Sequence, residues 1–205
     1  MLQTEGVVLT AVEPEDIPLI VLWRNMPEVY TGFIEHAPLS TAAQAAFQAG
    51  LTPEGTRRLW LINARGGPVA VGTEAKRGAT PVKVGTVGIM DLDWRNRRCE
   101  FGPIFIGALE YRGRGIAKEA EILVLDYCFN HLGLHKVIAH VPDSNAGVIA
   151  LHEAAGFRRD IVLRDHIFRA GRFEGLHLLS CLASEFRERF PAGADIAADS
   201  LRGWR

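Results

Sequence analysis

The stretch LEYRGRGIAKEAEILVLDYCFNHLGL, residues 109–134, constrains the fold more than any other part of the chain. Two glycines and two arginines occupy positions 112–115, and a run of helix-forming residues follows at once. Ile116, Ala120, Leu123, Val124 and Tyr127 recur three or four residues apart, so this helix buries one face. A flexible cationic turn opening onto a helix brings together unpaired backbone N–H groups and the positive end of the helix dipole. That combination suits a phosphate or pyrophosphate. The turn alone is also compatible with an ordinary loop of solvated arginines.

Two familiar phosphate sites fit poorly. A P-loop needs Gly-Lys-Ser/Thr after its first glycine, and the chain supplies none. A dinucleotide fingerprint needs a third glycine where Lys118 stands, and it opens the first strand of a βαβ unit. Here the turn lies more than a hundred residues into the chain, after several strands.

Those strands are legible. GVVLTAVEPEDIPLIVLWRN reads as a strand and then a helix entered through Pro14 and two acids, which suit a first helical turn. LSTAAQAAFQAGL is a helix capped by Ser40 or Thr41. RRLWLINA (57–64) is a strand, and residues 65–82, rich in Gly, Pro and Ala, form an enlarged hairpin connection. VKVGTVGIMDLDW and RRCEFGPIFIG are strands joined by a turn at WRNR. KVIAHV is a strand, SNAGVIALHEAAGF a helix ending at Gly156, and residues 161–182 a closing hairpin. The order predicts an α/β (α+β) layered protein with a mixed, mostly antiparallel sheet and about four helices. Residues 1–190 are expected to form one domain and 191–205 a frayed tail.

Composition narrows the function. The 205 residues carry 23 basic and 24 acidic side chains, which argues against a broad nucleic-acid surface but allows a local basic pocket. Three separated cysteines form no CxxC, so neither zinc nor a disulfide framework is expected. No apolar run reaches a membrane span and no leader pattern opens the chain, so a soluble, cytoplasmic protein without membrane or metal is expected.

Arg112-Gly113-Arg114-Gly115-Ile116-Ala117 resembles the Q/R-x-x-G-x-G/A motif of the GNAT superfamily of acyl-CoA-dependent N-acetyltransferases. DWRNRRCEFGPIFIG resembles the strand before that motif, SNAGVIALHEAAGF the family's N-x-x-A/V-I-x-L-Y-E-K-x-G-F helix, and RDHIFRAGRFEGLHLLSCL its last hairpin. LWRNMPEV is similar to the branch that acetylates ribosomal-protein N-termini, polyamines and nucleotide-linked amino sugars. The resemblance spans roughly residues 5–185 and is specific for the superfamily rather than for a substrate.

The resemblance implies a sheet splayed between two middle strands and acetyl-CoA as co-substrate. Backbone amides of Arg112, Gly113, Arg114, Gly115, Ile116 and Ala117 would hold the pyrophosphate. Ile104, Phe105 and Ile106 would pair with the pantetheine arm, and Pro103 suits a place where strand pairing breaks. Asn145 would lie near the pantetheine or simply cap its helix.

Amide formation needs a base for the amine and an acid for the departing thiolate. Glu100, in an otherwise apolar strand, is the base candidate, with a carboxylate paired to Arg97 or Arg98 as the alternative. His152 stands where the family most often has a tyrosine acid. It is a candidate acid, or else a core or cofactor-contact histidine. His166 and His177 read as structural or acceptor-site residues. Alternation puts Cys99 and Glu100 on opposite faces, which favours direct attack over an acyl-cysteine.

The acceptor is expected between residues 21–40, the 90–100 turn and the closing hairpin, with Trp23, Trp94 and Phe168 as walls. The expected activity is acetylation of a primary amine on a small molecule, such as a nucleotide-linked amino sugar, since RNRRCEFG is basic before Glu100. A protein N-terminal or polyamine acetyltransferase, or a non-catalytic acyl-CoA sensor, is the alternative. The expected assembly is a monomer or homodimer.

Overall fold

The computed structural model describes residues 2–34, 37–66, 80–191 and 193. In chain order the elements are β1 (Leu2–Gln3), β2 (Val7–Ala11), α1 (Ile17–Arg24), α2 (Pro27–Tyr30), α3 (Thr41–Ala49), β3 (Arg58–Ala64), β4 (Val82–Asp93) and β5 (Arg98–Ile106). There follow α4 (Ile116–Asp126), extended by a π-helical turn at Tyr127–His131, then β6 (Lys136–Pro142), α5 (Ala146–Ala155), β7 (Arg158–Arg169), β8 (Arg172–Leu182) and α6 (Ala183–Arg189). The strands form one sheet in the order β1-β2-β3-β4-β5-β6-β8-β7. Every pairing is antiparallel except β5 with β6. This is the mixed, mostly antiparallel sheet that the element order predicts.

Alternation divides the strands between two cores. Ile62, Val84, Val87, Ile89, Cys99, Phe101, Val137 and Leu179 pack with the apolar faces of α4, α5 and α6. Leu59, Leu61 and Phe105 turn to the other face, against Ile20 and Trp23 of α1 and Val29 of α2. The end of β5 approaches α1 so closely that a Cβ at Gly107 would fall inside the indole of Trp23.

The feature that makes a site is the course of β5. It pairs with β6 only over Arg98↔Lys136, Cys99↔Val137 and Glu100↔Ile138. Against β4 the register then steps from Ile89↔Phe101 to Val87↔Ile104, so Gly102 and Pro103 bulge out. Gly102 has φ 132°, which a side chain would resist, and Pro103 has no N–H to offer a ladder. Beyond the bulge β5 stays with β4, while β6 stays with β8 as far as Pro142↔Leu176. The two middle strands therefore part, as the resemblance implies.

Among the described residues six helices stand where about four were expected. The additional ones are α2, a four-residue turn opened by Pro27, and α6, whose Phe186 is fully buried. β7 starts at Arg158, earlier than its apolar residues indicate. Of the expected 65–82 connection, residues 67–79 lie outside the described residues, as does nearly all of the 191–205 tail.

Candidate active site

The 112–117 turn leaves β5 through a short helical turn at Leu109–Tyr111 and enters α4 at Gly115. Gly113 and Gly115 both lie in the left-handed region, at φ 72° and 79°, with open space where a Cβ would stand. Any other residue would be strained there. The first amides of α4 have no carbonyl within the helix to bond, so this mouth is a ready anion site. Arg112 is a brace: its Nε donates to the Ile106 carbonyl at 2.9 Å and a terminal nitrogen donates to the Glu28 carbonyl at 3.0 Å. Arg114 sits over the Tyr111 ring, 5.6 Å from its centroid. Ile116 is buried and anchors the helix to the larger core, with Ala117 packed at its margin.

Directly before the turn, Ile104, Phe105 and Ile106 pair with β4 on one side only. Their other edge faces the gap left by β6, where an extended amide-bearing chain can add as a strand does. Across the gap, Asn145 caps α5. Its Oδ1 accepts from Val148 N at 3.3 Å and its Nδ2 donates to the Gly32 carbonyl at 3.2 Å. The cap reading of Asn145 thus has both of its amide atoms engaged. Together the turn and the open edge fit a pyrophosphate joined to a linear amide-containing arm.

Glu100 stands where β5 and β6 part. Its Oε1 lies 3.0 Å from Nδ1 of His140, and both side chains are partly exposed. The alternative pairing of Glu100 with Arg97 or Arg98 is not formed; Glu100 has His140 instead, and Arg98 turns to Asp93 at 3.5 Å. Glu100, Trp94 and Arg98 line an open depression of about 590 Å³ with Asp91, Asp93 and Ile138. Asp93 is held below the usual carboxylate range by hydrogen bonds from the Asn96 side chain and backbone, and so is ionised. The depression thus gathers three carboxylates against one guanidinium. Arg98 of RNRRCEFG is thus offset by its neighbours.

His152 lies on the opposite side of the sheet. It is 3% exposed, and its ring meets Phe101 edge-on at 5.4 Å and Phe157 at 5.0 Å. Phe101 is the residue after the last β5–β6 pair, so the ring lies beside the mouth of the gap. Its Nδ1 is 2.6 Å from Oε1 of Glu121, a carboxylate with no exposed surface.

The expected acceptor walls separate. Trp94 is 49% exposed beside Glu100. Trp23 is a core residue, 5% exposed and edge-on to Phe105 at 6.4 Å, because the close approach at Gly107 seals it in. Phe168 is exposed at the hairpin end, against Phe173 and away from the depression. His177 is structural in its contacts: Nε2 lies 2.7 Å from Asp143 Oδ1, and Asp143 Oδ2 also accepts from Gly175 N. His166 lies on the bulged part of β7, outside the depression that holds Glu100.

Cys99 is buried on the face opposite Glu100, with its sulfur 3.9 Å from that of Cys128. That contact and burial push the Cys128 thiol well above its ordinary range, while burial pushes Cys181 to about 12. Neither of these two is a thiolate at neutral pH. Among the described residues no group of three or more His, Cys, Asp or Glu side chains is placed to hold a metal ion, and no helix is long and apolar enough to cross a membrane.

Two polar partners escaped the sequence reading. His140 had a signal, since alternation in KVIAHV puts it on the face of Ile138, the register partner of Glu100. Glu121 had a fainter one, an acid amid Ala120, Ile122, Leu123 and Val124 on a helix buried by its neighbours.

Comparison with known proteins agrees with this geometry. Residues 7–158 match the family model described as an acetyltransferase (GNAT) domain. An uncharacterized N-acetyltransferase, p20, of Bacillus licheniformis is 27% identical over 90% of this chain and 97% of its own length. A spermidine N(1)-acetyltransferase of Vibrio cholerae is 31% identical over 52% of this chain and 60% of its own length. A crystal structure of a spermidine N-acetyltransferase from Vibrio cholerae, in complex with CoA and spermine, superposes with TM-score 0.75 at 24% identity, covering 88% of this chain and 97% of that one.

Proposed function

The chain belongs to the GNAT family of acetyltransferases, and from that premise we propose that it transfers an acetyl group from acetyl-CoA to a primary amine of a small cationic acceptor. The observation that carries the reading is continuity: the open edge of Ile104–Ile106 runs straight into the twin left-handed glycine turn. An acyl-CoA has the same order, an amide-bearing arm ending in a pyrophosphate. When bound, acetyl-CoA supplies an acyl carbon already activated as a thioester.

The side chains then divide the labour. Glu100, on the depression side, accepts the proton that the amine must lose, directly or through water. Asp91 and Asp93 draw a cation towards it, and Trp94 offers a π face to an ammonium group. His152, on the other side, donates to the leaving sulfur in place of the tyrosine usual in the family. This acidic approach favours a di- or polyamine over a nucleotide-linked amino sugar, whose phosphates it would repel. The names of the spermidine acetyltransferase relatives support the same class.

Free-thiol release from acetyl-CoA across a panel of polyamines, amino sugars and peptide N-termini tests the reading. Polyamines are expected to give the highest kcat/KM. Preference for a nucleotide-linked amino sugar would reverse the acceptor assignment, and no release with any amine would leave an acyl-CoA-binding sensor.

The donor site has its own test. Gly115→Asp puts a Cβ at φ 79° and a negative charge at the mouth of α4. CoA affinity by calorimetry should fall about 100-fold or more, since like charges juxtaposed in an interface cost several kcal/mol. Gly115→Ala separates strain from charge and should lose less. Unchanged CoA affinity in a folded Gly115→Asp variant would move the pyrophosphate elsewhere.

A further inference from the structure

We infer that Glu121 is the positioning residue of the acid half of the reaction: it fixes His152 with Nδ1 turned inward and leaves Nε2 as the nitrogen that exchanges a proton with the departing thiolate. The inference rests on the acetyltransfer reading above.

Glu121 is out of place by every local rule. It sits on α4 between Ala120 and Ile122, both buried in the larger core, and has no exposed surface itself. A carboxylate in such surroundings is costly unless hydrogen-bonded and paired. Its Oε1 has His152 Nδ1 at 2.6 Å, while its Oε2 is buried with no partner. The residue therefore accepts an incompletely satisfied position and makes one contact across the α4–α5 interface. Lys118 and Cys181 also lie within its electrostatic reach.

An imidazole differs from a phenol in needing such a partner. A tyrosine offers one hydroxyl and no choice of tautomer, whereas a histidine ring has two nitrogens, and the bond made by one decides what the other does. With Nδ1–H donated to Glu121, only Nε2 remains for proton exchange. The carboxylate also balances the positive charge of the ring when both nitrogens are protonated. Phe101 and Phe157 hold the ring plane from two sides, beside the point where β5 and β6 separate.

The step balances. The ammonium proton leaves first, through Glu100 to solvent; the neutral amine nitrogen then forms the N–C bond and the second proton it sheds passes to Glu100. The C–S bond breaks, its electron pair stays on sulfur, and sulfur takes the Nε2 proton. His152 is left neutral with Nδ1–H still on Glu121, ready to regain a proton at Nε2.

The test uses Glu121→Leu, which suits the apolar layer, with Glu121→Gln as a second variant should the first misfold. Nitrogen-15 NMR of the full-length protein should show a protected proton on Nδ1 of His152 that is lost in Glu121→Leu. In the active protein kcat should fall about 10–100-fold, the range found when an outer partner that orients a functional histidine is removed. The KM for the acceptor should change little. In a His152→Phe background the same substitution should have no further effect on kcat, since Glu121 acts only through the ring. An active wild type whose Glu121 variants keep its kcat, or whose His152 carries no proton on Nδ1, overturns this inference alone. A wild type with no acetyl transfer to any amine overturns the function reading and this one with it.

Discussion

Glu100→Gln lowers kcat by about 10²–10⁴-fold at neutral pH, the usual contribution of a positioned acid or base. The substitution keeps the shape of the side chain and a hydrogen bond to His140, now 3.0 Å from Glu100, and removes only the basic oxygen. A primary amine resembles a lysine side chain, with an ordinary pKa of about 10.4, so almost all of it arrives as ammonium at pH 7. Removing that proton is the task assigned to Glu100. As pH rises towards the pKa of the amine, the acceptor deprotonates itself, and the variant should recover part of its rate. A pH series of kcat for both proteins reads this out. Near-normal turnover of Glu100→Gln at pH 7 would dismiss it as the base and leave His140 or an ordered water to take the proton.

His152→Ala destabilises the fold by about 3–5 kcal/mol, the cost of removing one partner from a buried charged pair. The reason is what remains. Glu121 would keep its sealed position with Oε1 as well as Oε2 lacking a hydrogen bond, in a cavity the size of an imidazole. For a chain of this length the loss corresponds to a fall in Tm of roughly 6–20 °C. Replacing both partners by apolar residues, Glu121→Leu with His152→Phe, should instead leave stability unchanged or raise it by about 1–4 kcal/mol. Thermal unfolding by circular dichroism distinguishes the two. If His152→Ala melted with the wild type, the two side chains would not be an interacting buried pair.

What the sequence made legible is what local chemistry dictates. The helix after Gly115 declares itself by spacing, and the turn by its glycines, because a left-handed backbone tolerates little else. The strands β4 and β5 are apolar in alternation and joined by a tight turn, so their pairing follows. Regions whose structure depends on distant partners were harder. The first residues of β7 are Arg158, Arg159 and Asp160, exposed on an edge strand, so no apolar pattern marks them. α2 is too short for periodicity to show.

The polar pairs illustrate the same limit at the site. Glu121 and His152 are 31 residues apart, and Glu100 and His140 are 40 apart, on helices and strands that meet only once the chain has folded. Trp23 was read as a possible acceptor wall because a tryptophan on an amphipathic helix suits either role. The packing of the smaller core and the approach of Gly107 cover it. Local sequence likewise counts the arginines of RNRRCEFG but does not show that Asp93 stands opposite Arg98.

The bulge at Gly102–Pro103 opens a gap in the sheet without joining its two sides. Glu100 is partly exposed on one side of the sheet, and His152 lies buried behind the strands on the other. The sheet stands between them. On the proposed mechanism the two proton transfers are therefore made at separate places, one to a partly exposed carboxylate and the other from a buried imidazole.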